Sequence, residues 1–280
     1  MTARERHVTA RDGLRLLVRE WGGGPGVPLL CLSGVTRSGL DFAHLGARHG
    51  AERRVVALDW AGHGGSERAA DLRRYAPEPA VRDVLDAMSA LHLGRCVVIG
   101  TSFGGLVAMF LSLLRPGALA GVVLNDIGPR VEDRGMGFVT DFVARDPGFA
   151  TLAECTAFLR ARMPNLSHED DAAWEEFAHG TYARGEDGRF HPRWDTRIAE
   201  AIRGQGGAFD FGPVFGGLAR IPTLLAWGEA SDILSAATVQ RMRAEKPDLR
   251  IVSLPGIGHN PTLREPPIAA ALDSLLAEAA

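Results

Sequence analysis

Four residues of this chain have the types and settings to do chemistry together: a serine among glycines, a histidine in a glycine–proline loop, and two aspartates that each follow an apolar run. Gly100-Thr101-Ser102-Phe103-Gly104 fits G-x-S-x-G, and its flanks give the pattern meaning: a β-branched run precedes it and a helix-like run follows. A strand that reverses into a helix within about two residues holds the serine in strained backbone geometry. The flanking glycines remove the Cβ atoms that would clash there. The hydroxyl then projects above the strand ends, with the N–H groups and positive dipole end of the new helix beneath any developing oxyanion. Ser102 is the expected nucleophile.

A serine hydroxyl needs a base. Of nine histidines, His259 in "LPGIGHNPTLREP" lies just past a strand-like run and just before a helix-like one, beside Gly258. In an open parallel sheet that is the crevice at the strand ends, where Ser102 also projects. His63, in "AGHGGS", reads instead as a loop-shaping side chain. The base needs an orienting carboxylate. Asp232, in "GEASDILS", and Asp126, in "VVLNDIGP", both allow the chain order Ser, Asp, His. The loop setting favours Asp232, with Asp126 as the alternative and Glu229 third. Two backbone donors are expected for the oxyanion: the N–H of Phe103, and that of Val35, where Gly34 lets the backbone approach. Ser33 rivals Ser102 by residue type alone, because it lacks a following helix start.

The rest of the composition narrows the partners. With 31 Lys and Arg against 34 Asp and Glu, the net charge is -3 and the charges are mixed, so no basic stripe offers a nucleic-acid footprint. No apolar run approaches the roughly 20 residues of a membrane span. A small-molecule substrate, a soluble cytoplasmic protein, and neither membrane nor nucleic-acid partner are the expectations. Cys31, Cys96 and Cys155 lie far apart without metal or redox spacing, so no metal and no cofactor is expected, and Cys31 and Cys96 read as core thiols.

Positioning elements follow from periodicity. "LRLLVREW" pairs with "RHVTA" across an "RDG" turn, and "VPLLCLSG", "RRVVALDW", "RCVVIG" and "LAGVVLNDIGP" read as strands buried on both faces of a parallel sheet. Val81, Val84, Leu85, Met88 and Leu91 recur at helical spacing between them. From about residue 130 to 218 no strand-like run occurs and four helical patterns do. Strands return in "IPTLLAWG" and "LRIVSLPG", before an amphipathic "PPIAAALDSLLAEA" helix. The fold class is α/β, a doubly wound sheet entered by an antiparallel hairpin and interrupted by a helical insertion.

"LLCLSGVTRSG", "VVALDWAGHGGS", "VVIGTSFGG" and the pair "WGEASDIL" and "PGIGHNPT" together resemble the α/β-hydrolase superfamily, specifically its small lidded serine hydrolases. The resemblance implies an eight-stranded, mostly parallel sheet with a helical lid after strand six, and a triad of Ser102, Asp232 and His259. The core would comprise 1–129 and 219–280, and the lid 130–218. Many members read His-Gly where this chain has Ser33–Gly34, and the arginine usual in the "RGHG" loop is replaced by Ala61. Serine at 102 argues against the haloalkane dehalogenase and epoxide hydrolase branches, whose similar elbow carries aspartate.

The expected activity is cleavage of a carboxylic ester or lactone of a small, largely apolar substrate through an acyl-enzyme on Ser102. Met136, Phe138, Phe142, Trp174 and Trp194 are the lid candidates for lining the pocket, and Gly34 is a further candidate for binding substrate. Carbon–carbon hydrolysis of a β-diketone-like substrate by the same triad is the alternative. A non-catalytic small-molecule receptor is the alternative from another class.

Overall fold

A computed structural model describes residues 2–168, 170–204, 211–259 and 261–279. Its strands are β1 (Arg4–Thr9), β2 (Arg15–Leu32), β3 (Arg53–Leu58), β4 (Cys96–Thr101), β5 (Leu119–Asn125), β6 (Tyr182–Arg184), β7 (Phe190–Pro192), β8 (Thr223–Gly228) and β9 (Arg250–Leu254). Its helices are α1 (Ala43–His49), α2 (Pro77–Ala90), α3 (Phe103–Leu114), α4 (Asp133–Val143), α5 (Leu152–Arg162), α6 (Asp171–Thr181), α7 (Ile198–Gly204), α8 (Gly212–Phe215), α9 (Ala236–Glu245) and α10 (Pro266–Glu278). No described helix is long and apolar enough to cross a membrane.

The main sheet runs β1-β2-β4-β5-β8-β9, with β3 also paired to β2. β1 is antiparallel to β2, while β2–β4, β4–β5, β5–β8 and β8–β9 are all parallel. Seven strands stand where eight were expected, because two predicted strands run on as the single element β2. Its first arm pairs Val18 with Leu58 and Trp21 with Val55, and its second pairs Leu29 with Val55 and Leu32 with Leu58. The partners descend β3 on one arm and ascend it on the other, so β3 lies between both arms. Gly22 makes the bend possible: its φ is +72°, and a Cβ there would sit 2.0 Å from Gly50 O.

Every residue of β4 and β5 is buried. Their side chains alternate, as strand geometry requires. Val98, Val122 and Leu124 join the cluster that holds α2 and α3, whereas Val97, Ile99 and Val123 join the opposite cluster with Leu45 of α1 and Leu272 and Leu275 of α10. The apolar spacing read for residues 81–91 forms α2, which opens on Pro77 at its first turn and buries Val81, Val84 and Met88.

Between β5 and β8 the chain leaves the sheet and builds α4 to α8, the helical insertions resembling a lid. Its own core gathers Phe142, Cys155, Leu159, Trp174, Tyr182 and Trp194. One feature departs from the all-helical expectation: β6 and β7 form an antiparallel hairpin that pairs Ala183 with His191. Three residues per strand, one of them proline, give too short a pattern for periodicity to register. All three cysteines are free and buried. Burial pushes the Cys31 and Cys96 thiols well above their ordinary range.

Candidate active site

Ser102 is the single residue between β4 and α3, with φ 50° and ψ −115°. A non-glycine residue held there costs of order 1–3 kcal/mol, which the packing around it must supply. The glycines beside it make that packing possible. A Cβ on Gly104 would lie 2.1 Å from Leu32 O, and one on Gly105 would lie 2.3 Å from Ile127 Cγ2. On Gly100 it would meet the Gly104 carbonyl at 2.5 Å. The helix therefore starts against the ends of β2 and β4 with no room for any side chain at these positions. Phe103 is the first residue of α3, so its N–H has no partner within the helix.

His259 follows β9 and turns Nδ1 toward Asp126, whose Oδ2 accepts from it at 2.7 Å. Asp126 lies one residue past β5 and is fully buried. Its other bonds come from Gly228 N–H to Oδ1 at 2.9 Å and from Ser231 Oγ–H to Oδ2 at 2.5 Å. A buried carboxylate is costly unless its oxygens are satisfied, and three donors converge here. The bond from Asp126 fixes the histidine tautomer, with the proton on Nδ1 and Nε2 free to accept.

The expectation that Asp232 would lie buried beside His259 is corrected. Its side chain is 61% exposed and faces Arg134 at 3.7 Å. The loop after β8 contributes its neighbour Ser231 to the buried network, and Ser231 Oγ also accepts from Ile233 N–H. Glu229 is likewise exposed. The position weighed second, Asp126, occupies the place beside the histidine. Parallel pairing explains it: Thr101 pairs with Asn125 and Asn125 with Ala226, so the ends of β4, β5 and β8 stand level and Asp126 emerges between the serine and the loop after β8.

Ser102 borders two cavities. One, of 360 Å³, lies between the sheet and the insertion, with Leu106, Ile127, Met136, Val139 and Ile202 in its wall. The other, of 150 Å³, holds His259, Gly34, Phe138 and Phe142. Val35, Ser102, Val139 and Ile233 belong to both walls, so the serine stands where the two spaces meet. Of the predicted lining residues, Met136 faces the larger cavity and Phe138 and Phe142 the smaller. Trp174 and Trp194 are corrected to the insertion's own core. Trp174 packs edge-on to His168 and Phe177, and Trp194 stacks on Phe142 and donates Nε1–H to Val143 O at 2.9 Å. Sequence reading missed Val139, Ile198 and Ile202, although the spacing of Met136 and Val139 and of Ile198 and Ile202 already put each pair on one helix face.

Gly34 meets Ser102 closely: a Cβ on it would lie 3.6 Å from the serine Cβ. Next to it, Val35 has an N–H that donates to no acceptor among the described residues. Ser33 is fully buried with its Oγ unpartnered, and its carbonyl accepts from Trp60 Nε1–H. Arg37 ties this loop to the insertion. Its guanidinium pairs with Asp41, reaches Thr181 Oγ1 and Phe177 O of α6, and stacks 4.0 Å above the Phe177 ring.

A family model described as "Alpha/beta hydrolase family" matches residues 29–271. A crystal structure of an alpha/beta hydrolase from Novosphingobium aromaticivorans superimposes with a TM-score of 0.93 at 36% identity, covering 99% of both chains. Among curated relatives, a 3-hydroxybutyrate-oligomer hydrolase of Cupriavidus necator is 29% identical, over 90% of this chain and 89% of its own. A 2-(acetamidomethylene)succinate hydrolase of Mesorhizobium japonicum is 26% identical, over 88% and 85%.

Proposed function

Because the chain belongs to the alpha/beta hydrolase family, we propose that it is a serine hydrolase cleaving a carboxylic ester or lactone of a small, largely apolar substrate, with Ser102, His259 and Asp126 as its triad. The observation that carries this reading is the 2.7 Å bond from His259 Nδ1 to a fully buried Asp126, on a histidine that shares a cavity wall with Ser102.

Chemistry follows from the geometry. His259 Nε2 takes the Ser102 proton as Oγ bonds to the acyl carbon, while Asp126 stabilises the imidazolium. The N–H groups of Val35 and Phe103 receive the oxyanion. The carbon–oxygen bond to the leaving alcohol breaks, and His259 returns the proton to it. Water then gives its proton to His259 and attacks the acyl-enzyme, the bond from the acyl carbon to Ser102 Oγ breaks to release the acid, and His259 returns the proton to Oγ. The apolar wall of Leu106, Ile127 and Met136 suits the acyl chain of such a substrate. The relative named for 3-hydroxybutyrate oligomers, which are joined by ester bonds, supports ester cleavage over the carbon–carbon alternative.

Turnover of p-nitrophenyl esters from acetyl to octanoyl, beside labelling with a fluorophosphonate, tests the reading. Ester turnover and a covalent adduct on Ser102, both lost in Ser102→Ala, are expected. A folded protein that turns over vinylogous diketones and no ester would overturn ester specificity. One whose Ser102 takes no label and that turns over neither would favour the receptor alternative.

A further inference from the structure

The segment after β3 reaches across to the loop that carries Val35. Trp60 donates Nε1–H to Ser33 O at 2.9 Å, and His63 Nε2 lies 2.5 Å from Val35 O. These two carbonyls flank the Gly34–Val35 peptide on either side. The carbonyl of that peptide, Gly34 O, accepts from Arg37 N–H at 3.1 Å. In a planar trans peptide the N–H points away from its carbonyl, so fixing Gly34 O on one side aims the Val35 N–H to the other.

The two side chains are themselves held. Trp60 is 3% exposed and packs edge-on against Phe103 at 5.2 Å, and His63 is 4% exposed. Asp59, next in the chain, accepts from Gly39 N–H at 2.6 Å, from Gly65 N–H at 3.0 Å and from Arg19 at 2.8 Å. The insertion grips the same segment, since Gly64 N–H donates to Arg193 O and Asp195 N–H to Gly62 O. Two carbonyls face the His63 ring, Val35 O at Nε2 and Ala61 O at 3.0 Å from Nδ1; a carbonyl oxygen only accepts, so the contact to Val35 is an N–H donated from Nε2, and burial lowers the pKa of the ring. The Val35 contact is the shorter.

We propose that Trp60 and His63 are positioning residues that clamp the Gly34–Val35 peptide from both sides and set its N–H as the second oxyanion donor. The proposal rests on the hydrolase reading above. It also gives the replacement of the family's usual histidine by Ser33 a physical setting: the loop is held from the segment after β3 through backbone carbonyls, and the Ser33 hydroxyl takes no part.

An oxyanion donor acts in the transition state, so a loosened one lowers kcat and leaves KM nearly unchanged. Losing a donor outright costs about 10²–10³-fold in kcat, which bounds the effect. His63→Leu is expected to lose about 10- to 100-fold in kcat on p-nitrophenyl butyrate, with KM within about twofold. His63→Gln, whose amide nitrogen reaches as far as Nε2, recovers most of it. His63→Asn, whose donor mimics Nδ1, does not. Trp60→Phe keeps the ring and removes the donor, and falls about 10-fold.

Circular dichroism and gel filtration establish folding for each variant. If His63→Leu does not fold, the Gln–Asn contrast and Trp60→Phe carry the test alone. Folded variants with wild-type kcat, or a loss that appears in KM, overturn the clamp and leave the hydrolase reading intact. Absence of wild-type ester turnover and of Ser102 labelling overturns both.

Discussion

Asp126 and His259 stand 133 positions apart in sequence and 2.7 Å apart in space, and the carboxylate is fully buried while the imidazole is one-fifth exposed. Serine and carboxylate thus come from the ends of two adjacent strands, β4 and β5. Their backbones are linked directly, since Ser102 N–H donates to Asn125 O at 3.0 Å. Both residues have positive φ, 50° for Ser102 and 52° for Asp126. Two non-glycine residues with positive φ thus stand side by side at the strand ends, each held there by its neighbours.

The elbow depends on contact with no spare volume. Gly104→Ala places a Cβ about where Leu32 O already sits, at 2.1 Å, against backbone that cannot rotate away. Overpacking of this kind costs roughly 1–3 kcal/mol or more. A fall of that size in urea-unfolding free energy is expected, whereas Gly94→Ala, with nothing within 4 Å, should change stability by no more than about 0.5 kcal/mol.

Stability should fall on acidification through His44 and His168. Each has Nε2 buried without a partner, and His44 already has Nδ1 at 2.9 Å from Asp41 O, so its neutral form is the one that fits. Burial drives both pKa values down, from 6.5 to about 4. The unfolded chain therefore binds protons that the folded one refuses. Stability from this source is full above about pH 7 and is lost as pH falls from 6.5 toward 4, by up to about 1.4 kcal/mol per pH unit for each histidine. Denaturation midpoints at pH 7.5, 6 and 5 check this, and His44→Gln with His168→Gln should flatten the slope. An equal slope in the double variant contradicts it.

Chain-length preference should follow the larger cavity. Met136→Trp puts an indole into a 360 Å³ space, which should raise KM for octanoyl esters more than about tenfold while acetyl turnover changes less than about threefold. Trp174→Phe, in the insertion's own core, should leave the ratio of the two substrates unaltered. A profile altered by Trp174→Phe and untouched by Met136→Trp would place the acyl chain elsewhere.

Much of this could be read from residues near one another in sequence. The strand–Ser102–helix reversal and the glycines around it are a local pattern, and the setting of His259 between a strand and a helix is local too. The choice between Asp126 and Asp232 is not, because it depends on which strand end lies level with His259 across the sheet. Both aspartates follow a strand, and only the β4–β5–β8 register decides between them. The tryptophans show the same limit. Hydrophobicity marks Trp174 and Trp194 for burial, but whether they bury against substrate or against Phe142 and Phe177 is settled by how the insertion packs on itself. The two arms of β2 were obscured for a related reason, since pairing partners far along the chain define them, whereas the β6–β7 hairpin was too short for its pattern to show.

The most direct test of the account compares Asp126→Asn with Asp232→Asn in kcat for a p-nitrophenyl ester. An amide at 126 can hold the wrong histidine tautomer while keeping the shape of the site, and such a change in a serine–histidine–aspartate triad lowers kcat about 10⁴-fold. Asp232, exposed and facing Arg134, should tolerate its amide within about threefold. A collapse of activity in Asp232→Asn beside a nearly active Asp126→Asn would contradict the triad assigned here.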